Sequence, residues 1–245
     1  MKRRDFLLGL LVLPYVMGVL YPIYVLIVAV FLVMRLAGFV KIAWPKKIPH
    51  VGERIILVSN HKGMLDVLLL PALLWKSCLR HPLRGPMVVA DRKNFYDSWY
   101  FFLFRPFLIP VDREGNSDKS LLRIKKALDQ GRLVIYFYEG GRTHKGKEFL
   151  YSESGKKIRK PKDGIGLLVS KTGADVQLLW IEGSDNAMPN VHGRMFNVSR
   201  LVLNALMFRV AVTVKVGEPM SFLQGMDKKE ITRLVTESHL LLADE

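Results

Sequence analysis

From Phe6 to Met34 the chain runs for 29 residues without a charge, directly after the basic cluster Lys2, Arg3, Arg4. A cleavable signal peptide has a shorter apolar core that ends in small residues, whereas this run continues through Leu36 to Val40, so it is expected to stay on the mature chain. As one straight helix it would measure about 43 Å against a hydrocarbon core of roughly 30 Å, so it must tilt, kink or fold back. Pro14 and the pair Tyr21–Pro22 divide it into Phe6 to Leu20 and Ile23 to Val40. Basic residues flank both outer ends (Arg3, Arg4; Lys41, Lys46, Lys47), and because positive charge stays cytoplasmic this pattern favours a re-entrant hairpin. A single tilted, Pro-kinked span is the alternative. Residues 1–44 are thus expected to form membrane-anchoring helices and residues 45–245 the folded body, with its working face on the cytoplasmic side of the membrane.

Lys and Arg outnumber Asp and Glu by 37 to 22, and only four of the basic residues lie in the first forty positions, so the positive field belongs to the body. Such a field attracts nucleic acid, anionic lipid or phosphorylated substrates. No nucleic-acid reading motif or interleaving of bases with stacking aromatics is visible, so no nucleic-acid partner is expected, and the apolar segment points to membrane lipids. Cys78 is the single cysteine, which excludes an intrachain disulfide and a cysteine zinc cluster. It sits in the apolar stretch Leu68 to Leu79 with no acid–base pattern around it, as an inert buried thiol does.

Past a linker from Ala43 to Val51 broken by Pro45 and Pro49, β-branched runs alternate with amphipathic ones. The predicted strands are Arg54 to Ser59, Met87 to Ala90, Leu108 to Val111, Leu133 to Tyr138, Val176 to Ile181 and Val210 to Val216. The predicted helices are Leu65 to Leu79, Phe95 to Phe104, Asp118 to Gln130, Ile165 to Thr172 and Lys228 to Leu242. This alternation implies an α/β fold, a mixed, largely parallel sheet flanked by helices, with the hydrophobic helical membrane segment at its N-terminus. Lys145 to Lys162, dense in Lys and Arg and without a hydrophobic period, reads as a basic loop suited to anionic headgroups or to solvent.

Three segments carry chemistry. In Ser59-Asn60-His61-Lys62-Gly63-Met64-Leu65-Asp66 a strand ends and a helix starts. His61 and Asp66, five apart, would lie about 140° from each other on a continuous helix, so they can pair only if the intervening turn is partly non-helical. Gly63 allows that turn, at the carboxyl edge of the sheet where α/β proteins bind ligands. A carboxylate on one imidazole nitrogen fixes the tautomer and leaves the other as general base. With no serine or cysteine in the motif, the proton it takes would come from the hydroxyl of a bound acceptor. In Tyr138-Glu139-Gly140-Gly141-Arg142-Thr143, Gly140 and Gly141 let backbone amides approach an anion and Arg142 offers a fork for phosphate oxygens. Arg113, closing the strand Leu108 to Val111, brings a second guanidinium to the same edge, unless it merely pairs with Asp112.

Taken in order, these blocks resemble the glycerolipid acyltransferase family that includes the lysophosphatidate acyltransferases. Asn60-His61 to Asp66 is similar to its His-x4-Asp block, Phe107 to Arg113 to its second block, and Phe137 to Thr143 to its Glu-Gly-x-Arg block. Asp163-Gly164 to Ile181 and Gly217-Glu218-Pro219 fit later stretches, so the resemblance spans about Ile55 to Met220. It implies catalytic His61 and Asp66, an acceptor phosphate held by Arg113 and Arg142, and an acceptor site shaped by Glu139, Gly140 and Gly141. It implies acyl-CoA or acyl carrier protein as co-substrate, no other cofactor and no metal, in phospholipid biosynthesis at a bacterial inner membrane. Tyr138 and Gly141 stand where the family has Pro and Thr, and Leu178 replaces an expected Pro. These departures leave open another lysophospholipid, an amino-acid lipid or a phosphoglycolipid as acceptor. A non-catalytic protein that binds anionic lipid is the reading from a different class. Leu68, Leu69 and the run Trp99 to Phe104 are candidates for an acyl-chain groove.

Overall fold

The computed structural model describes residues 14–43, 49–112, 117–189, 197–207 and 209–245. In chain order, the first helix is α1 (Val16–Leu36), followed by β1 (Val40–Ala43), β2 (Ile55–Ser59), α2 (Leu65–Leu73) and α3 (Trp75–Arg80). Next come β3 (Met87–Asp91), β4 (Leu108–Val111), α4 (Ser117–Asp129) and β5 (Val134–Phe137). A hairpin of β6 (Phe149–Tyr151) and β7 (Lys157–Arg159) precedes α5 (Gly164–Thr172) and β8 (Asp175–Glu182). The chain closes with α6 (Ser184–Ala187), α7 (Val198–Leu206), β9 (Val212–Met220) and α8 (Lys228–Asp244).

Among the described residues seven strands form one sheet in the order β1-β9-β8-β2-β5-β3-β4, parallel throughout except for the antiparallel pair β8–β9. The expected mixed, largely parallel α/β sheet is therefore present. Its strands are apolar on both sides, as sheets covered by helices on both faces must be. Ile55 and Leu57 of β2 join one core with Phe31 of α1, Leu69 and Leu73 of α2, and Phe101. Ile56 and Val58 join the other with Ile124 of α4, Ile165 of α5 and Val235 of α8. Alternation along a strand thus serves two cores rather than core and water.

The back layer is tight because Gly166 lacks a side chain. A Cβ there would lie 1.8 Å from the Lys228 carbonyl oxygen of α8, so α5 and α8 meet backbone to backbone.

Several expectations are corrected. The run does not break at Tyr21–Pro22. Val16–Leu20 is a π-helical stretch in which the Tyr21 N–H bonds back to Val16 O, and the wider turn admits the proline ring, so helix continues into Tyr21–Leu36. Val40 to Ala43, counted with the anchor on sequence, is an edge strand paired in parallel with Val212 to Lys215. Residues 1–13 and the flanking Lys46 and Lys47 lie outside the described residues. The basic loop is in part the β6–β7 hairpin, turning at Gly155 with φ of +80° and burying Ile158. The helix predicted over Phe95 to Phe104 is a π-helical turn, Arg92–Tyr96, then a 3-10 helix, Trp99–Phe107. The helix predicted over Leu65 to Leu79 divides at Leu74 into α2 and α3. Helix α7 had no counterpart in the sequence reading.

Candidate active site

β2 is the middle strand, and its carboxyl end delivers Asn60 and His61 between the ends of β8 and β5. Asn60 ties itself to β8 by a reciprocal pair: its Nδ2 donates to Ile181 O and its Oδ1 accepts from Ile181 N, both at 2.8 Å. The turn that follows is non-helical until Leu65, which is what five-residue spacing requires of a His–Asp pair. His61 Nδ1 lies 3.0 Å from Asp66 Oδ2, and the same oxygen accepts from Gly63 N at 2.9 Å. Asp66 is fully buried in the first turn of α2, where the helix dipole favours a carboxylate. With Nδ1–H given to Asp66, the remaining nitrogen Nε2 is left as the acceptor. The imidazole stacks on Phe137 at a centroid distance of 4.3 Å, which fixes its plane.

Glu139 is buried, its carboxylate turned toward main-chain amides. Its Oε1 accepts from His61 N (2.8 Å) and the Thr143 hydroxyl (2.9 Å), and its Oε2 accepts from Arg159 N (2.6 Å). Burial pushes this carboxyl above its ordinary range, against the pull of the Arg159 and His61 amides and the Thr143 hydroxyl. Thr143 N in turn donates to His61 O at 2.7 Å. The main chain of His61 is therefore held on both sides by the Glu139–Thr143 segment. Gly140 adopts φ of +67°, which favours glycine, but its N–H closes the turn on Phe137 O and does not face outward. Of the two amides expected to cradle an anion, that of Gly140 is thus spent on the turn.

Beside His61 opens a cavity of about 1510 Å³. Its lining includes Gly140, Gly141, Arg142, His144, Lys145 and Arg159. Burial and then the charges of Arg142 and Lys145 hold the His144 imidazole below its ordinary value, against the pull of Asp185. Arg159 escaped the sequence reading because it sat in a segment whose charge density hid the period-two pattern. It belongs here on two counts: its amide holds Glu139, and its guanidinium packs where a Cβ on Gly141 would come within 2.9 Å of Nη1. Arg113 lies outside the described residues, and Asp112, its alternative partner, pairs with Arg92 at 2.9 Å.

Most of the remaining lining is apolar, with Val67, Leu68, Phe101, Phe104 and Leu108 alongside Leu20, Tyr24 and Ile27 of α1, and Asp91 and Asn94 are among its polar exceptions. Of the expected groove residues Leu68, Phe101 and Phe104 line it, whereas Leu69 is packed in the core and Trp99 and Phe102 are exposed. α1 is fastened at this wall by Tyr15 OH, one residue before the helix, to Leu103 O (2.7 Å) and by Tyr24 OH to Pro71 O (2.8 Å). Cys78 also lines the cavity, but burial pushes its thiol up to about 11, which leaves no thiolate for nucleophilic work near neutrality.

Residues 40–182, from β1 to the end of β8, match the family model described as Acyltransferase, more than half of the chain. The chain belongs to that family. It is an acyltransferase, as the order of its sequence blocks implied. The fold is similar to that in the crystal structure of the 1-acyl-sn-glycerophosphate (LPA) acyltransferase PlsC from Thermotoga maritima, with a TM-score of 0.54 and 20% identity over 81% of this chain and 68% of that one. The acyltransferase match spans His61, Asp66 and the Glu139–Thr143 clamp, so the geometry described above falls within its shared region.

Proposed function

We propose that this acyltransferase works at a membrane and moves a fatty acyl group from acyl-CoA or acyl carrier protein to the free hydroxyl of a lysophosphatidate-like lipid. The observation that carries the reading is an imidazole, oriented by a buried carboxylate, in the wall of a cavity whose lining joins a cluster of cationic side chains to many apolar ones. His61 Nε2 takes the acceptor hydroxyl proton as the oxygen attacks the thioester carbonyl. The tetrahedral intermediate collapses with loss of the C–S bond, and the departing thiolate takes the proton from His61. Products are a carboxylic ester and a free thiol, and no acyl-enzyme forms. Asp66 holds the tautomer and stabilises the transient imidazolium. Arg142, Lys145 and Arg159 favour a phosphate monoester beside them, and Arg113 is a further candidate on its sequence block alone. The apolar interior favours the acyl chain, each buried methylene contributing about 0.8 kcal/mol.

Helix α1 supports membrane attachment: Val16–Leu36 is long and apolar enough to cross a bilayer, and its outward side chains Leu26, Val30, Val33 and Leu36 are exposed. Arg35 and Lys41 at its carboxyl end favour the cytoplasmic face.

The test is mass spectrometry of lipids made by the purified full chain in vesicles, from a mixed lysolipid pool with acyl-CoA or acyl carrier protein as donor. The expected result is diacylated phosphate monoester, absent with His61→Ala. Preferential acylation of a lysolipid whose phosphate carries a second substituent would overturn the acceptor assignment, and full activity in His61→Ala would overturn the mechanism.

A further inference from the structure

Helix α7 shows apolar side chains to both sides. Inward, Leu201 and Ala205 pack against the core layer that contains Phe31 of α1, and Asn204 Nδ2 lies 3.1 Å from both Asn186 O and Ala187 O, which sets the helix rotation. Outward, Val198, Val202, Leu203, Leu206 and Met207 are exposed, Leu206 at 74%. A helix resting on a soluble body carries polar residues there, and a contiguous apolar face of this kind marks a contact surface.

Two observations say what covers it. The first is charge: no Asp or Glu occurs from Asn186 to Gly217, and the exposed Arg200 and Arg209 flank the face. The second is position. α1 and α7 each run directly into a strand, β1 and β9, and these strands are parallel neighbours tied by Val212 N–H to Phe39 O at 2.8 Å. The carboxyl ends of the two helices therefore reach one edge of the sheet at one level, where Leu36 of α1 is 88% exposed. Arg35 and Lys41 bring two more cations to that level.

We infer that α7 is a second, in-plane membrane contact, with Val202 and Leu206 in the boundary between headgroups and acyl chains and Arg200 and Arg209 against anionic lipid phosphates. Amphipathic helices with basic borders bind bilayers in this way, by apolar burial plus attraction to anionic lipid. One helix lets the body swivel about its axis; a second contact off that axis fixes which side of the body meets the lipid. The inference rests on the reading that the enzyme works at a membrane.

The experiment uses full-length Val202→Cys, Val30→Cys and Glu237→Cys, each carrying a small fluorophore, in phosphatidylethanolamine–phosphatidylglycerol vesicles with a quencher high on the lipid acyl chain. Labels at Val30 and Val202 are expected to be quenched about twofold or more, and the label at Glu237, on the exposed face of α8, to be unaffected. Quenching at Val30 without quenching at Val202 overturns the role of α7, leaves membrane attachment standing and gives the face to a protein partner. No quenching at either site removes membrane attachment and this proposal together. In parallel, the double variant Val202→Asp, Leu206→Asp is expected to lose about tenfold in rate on vesicle-embedded acceptor while matching the wild type on acceptor dispersed in detergent. Equal loss in both media, or none in either, overturns the proposal.

Discussion

The two faces of the sheet are built to opposite standards. Behind it α4, α5 and α8 are regular α-helices; α8 is capped by Asp227, whose carboxylate accepts from Lys229 N at 2.8 Å, and Gly166 locks α5 and α8 together. In front several elements are irregular: a π-helical stretch in α1, Pro71 inside α2, a π-helical turn and then a 3-10 helix with Pro106 before β4. Regular helices pack to near-crystalline density and leave no room. The wider and tighter turns in front, with α1 laid across them, leave the cavity. Rigidity on one side thus supports an opening on the other, and the two meet at the end of β5. There His239 of α8, fully buried, donates from Nε2 to Leu179 O (2.9 Å) and accepts at Nδ1 from Tyr138 OH (2.8 Å), next to the Glu139 clamp.

The sharpest separation of the faces is expected from His61→Ala, which should lower kcat on the order of 10² to 10⁴-fold while the circular dichroism melting curve stays cooperative. Gly166→Ala should do the reverse, costing about 3 kcal/mol in urea unfolding because backbone must move apart, with kcat of the folded enzyme retained. A large loss of kcat with unchanged stability would dissolve the distinction.

Acid tests the back face through His239. Burial holds the His239 imidazole down to about 4, so it is neutral in the folded protein, whereas the unfolded chain binds its proton near the ordinary value of 6.5. Between those values the unfolded state holds more protons, so this contribution is complete above pH 6.5 and is lost as pH falls toward 4. We expect the wild type to lose about 2 kcal/mol more than His239→Gln between pH 7 and pH 5 by urea unfolding. Parallel pH profiles would refute it. Tyr138→Phe should cost about 1 to 2 kcal/mol, since it leaves His239 Nδ1 buried without a donor, and should change KM little. The smallest effect belongs to the front: Leu68→Trp fills part of the cavity and should penalise the longest acyl donors by about 0.8 kcal/mol per excluded methylene, read as a shift in kcat/KM across chain lengths.

How far the sequence carried depended on whether a local pattern decided the outcome. Leu108 to Val111 appears as a strand at the predicted residues, and the cores of the other predicted strands lie in the sheet, because β-branched runs bounded by turns have no competing solution. Val40 to Ala43 was hidden at the tail of an apolar run, where membrane helix and sheet edge look alike. The β6–β7 hairpin was hidden by its lysines, although Ser154-Gly155 marked the turn and Lys157-Ile158-Arg159 alternated. At the site, pairing of His61 with Asp66 followed from a turn that Gly63 permits. The inward direction of Glu139 did not, since which side a carboxylate faces is set by amides distant in sequence, those of His61 and Arg159. α7 was missed although Val198, Leu201, Val202 and Ala205 recur at helical spacing, because it is only nine residues long and lies just before the predicted strand.

The clamp on His61 also bears on how the protein is made. Its imidazole and the Asp66 carboxylate are neighbours on a nascent chain, but the groups that fix the His61 backbone, Glu139 and Thr143, come some eighty residues later, and the Arg159 amide that anchors Glu139 later still. A nascent chain that ends before Arg159 therefore lacks the contacts that fix the His61 main chain, and alignment of the imidazole waits on the last-made part of this clamp.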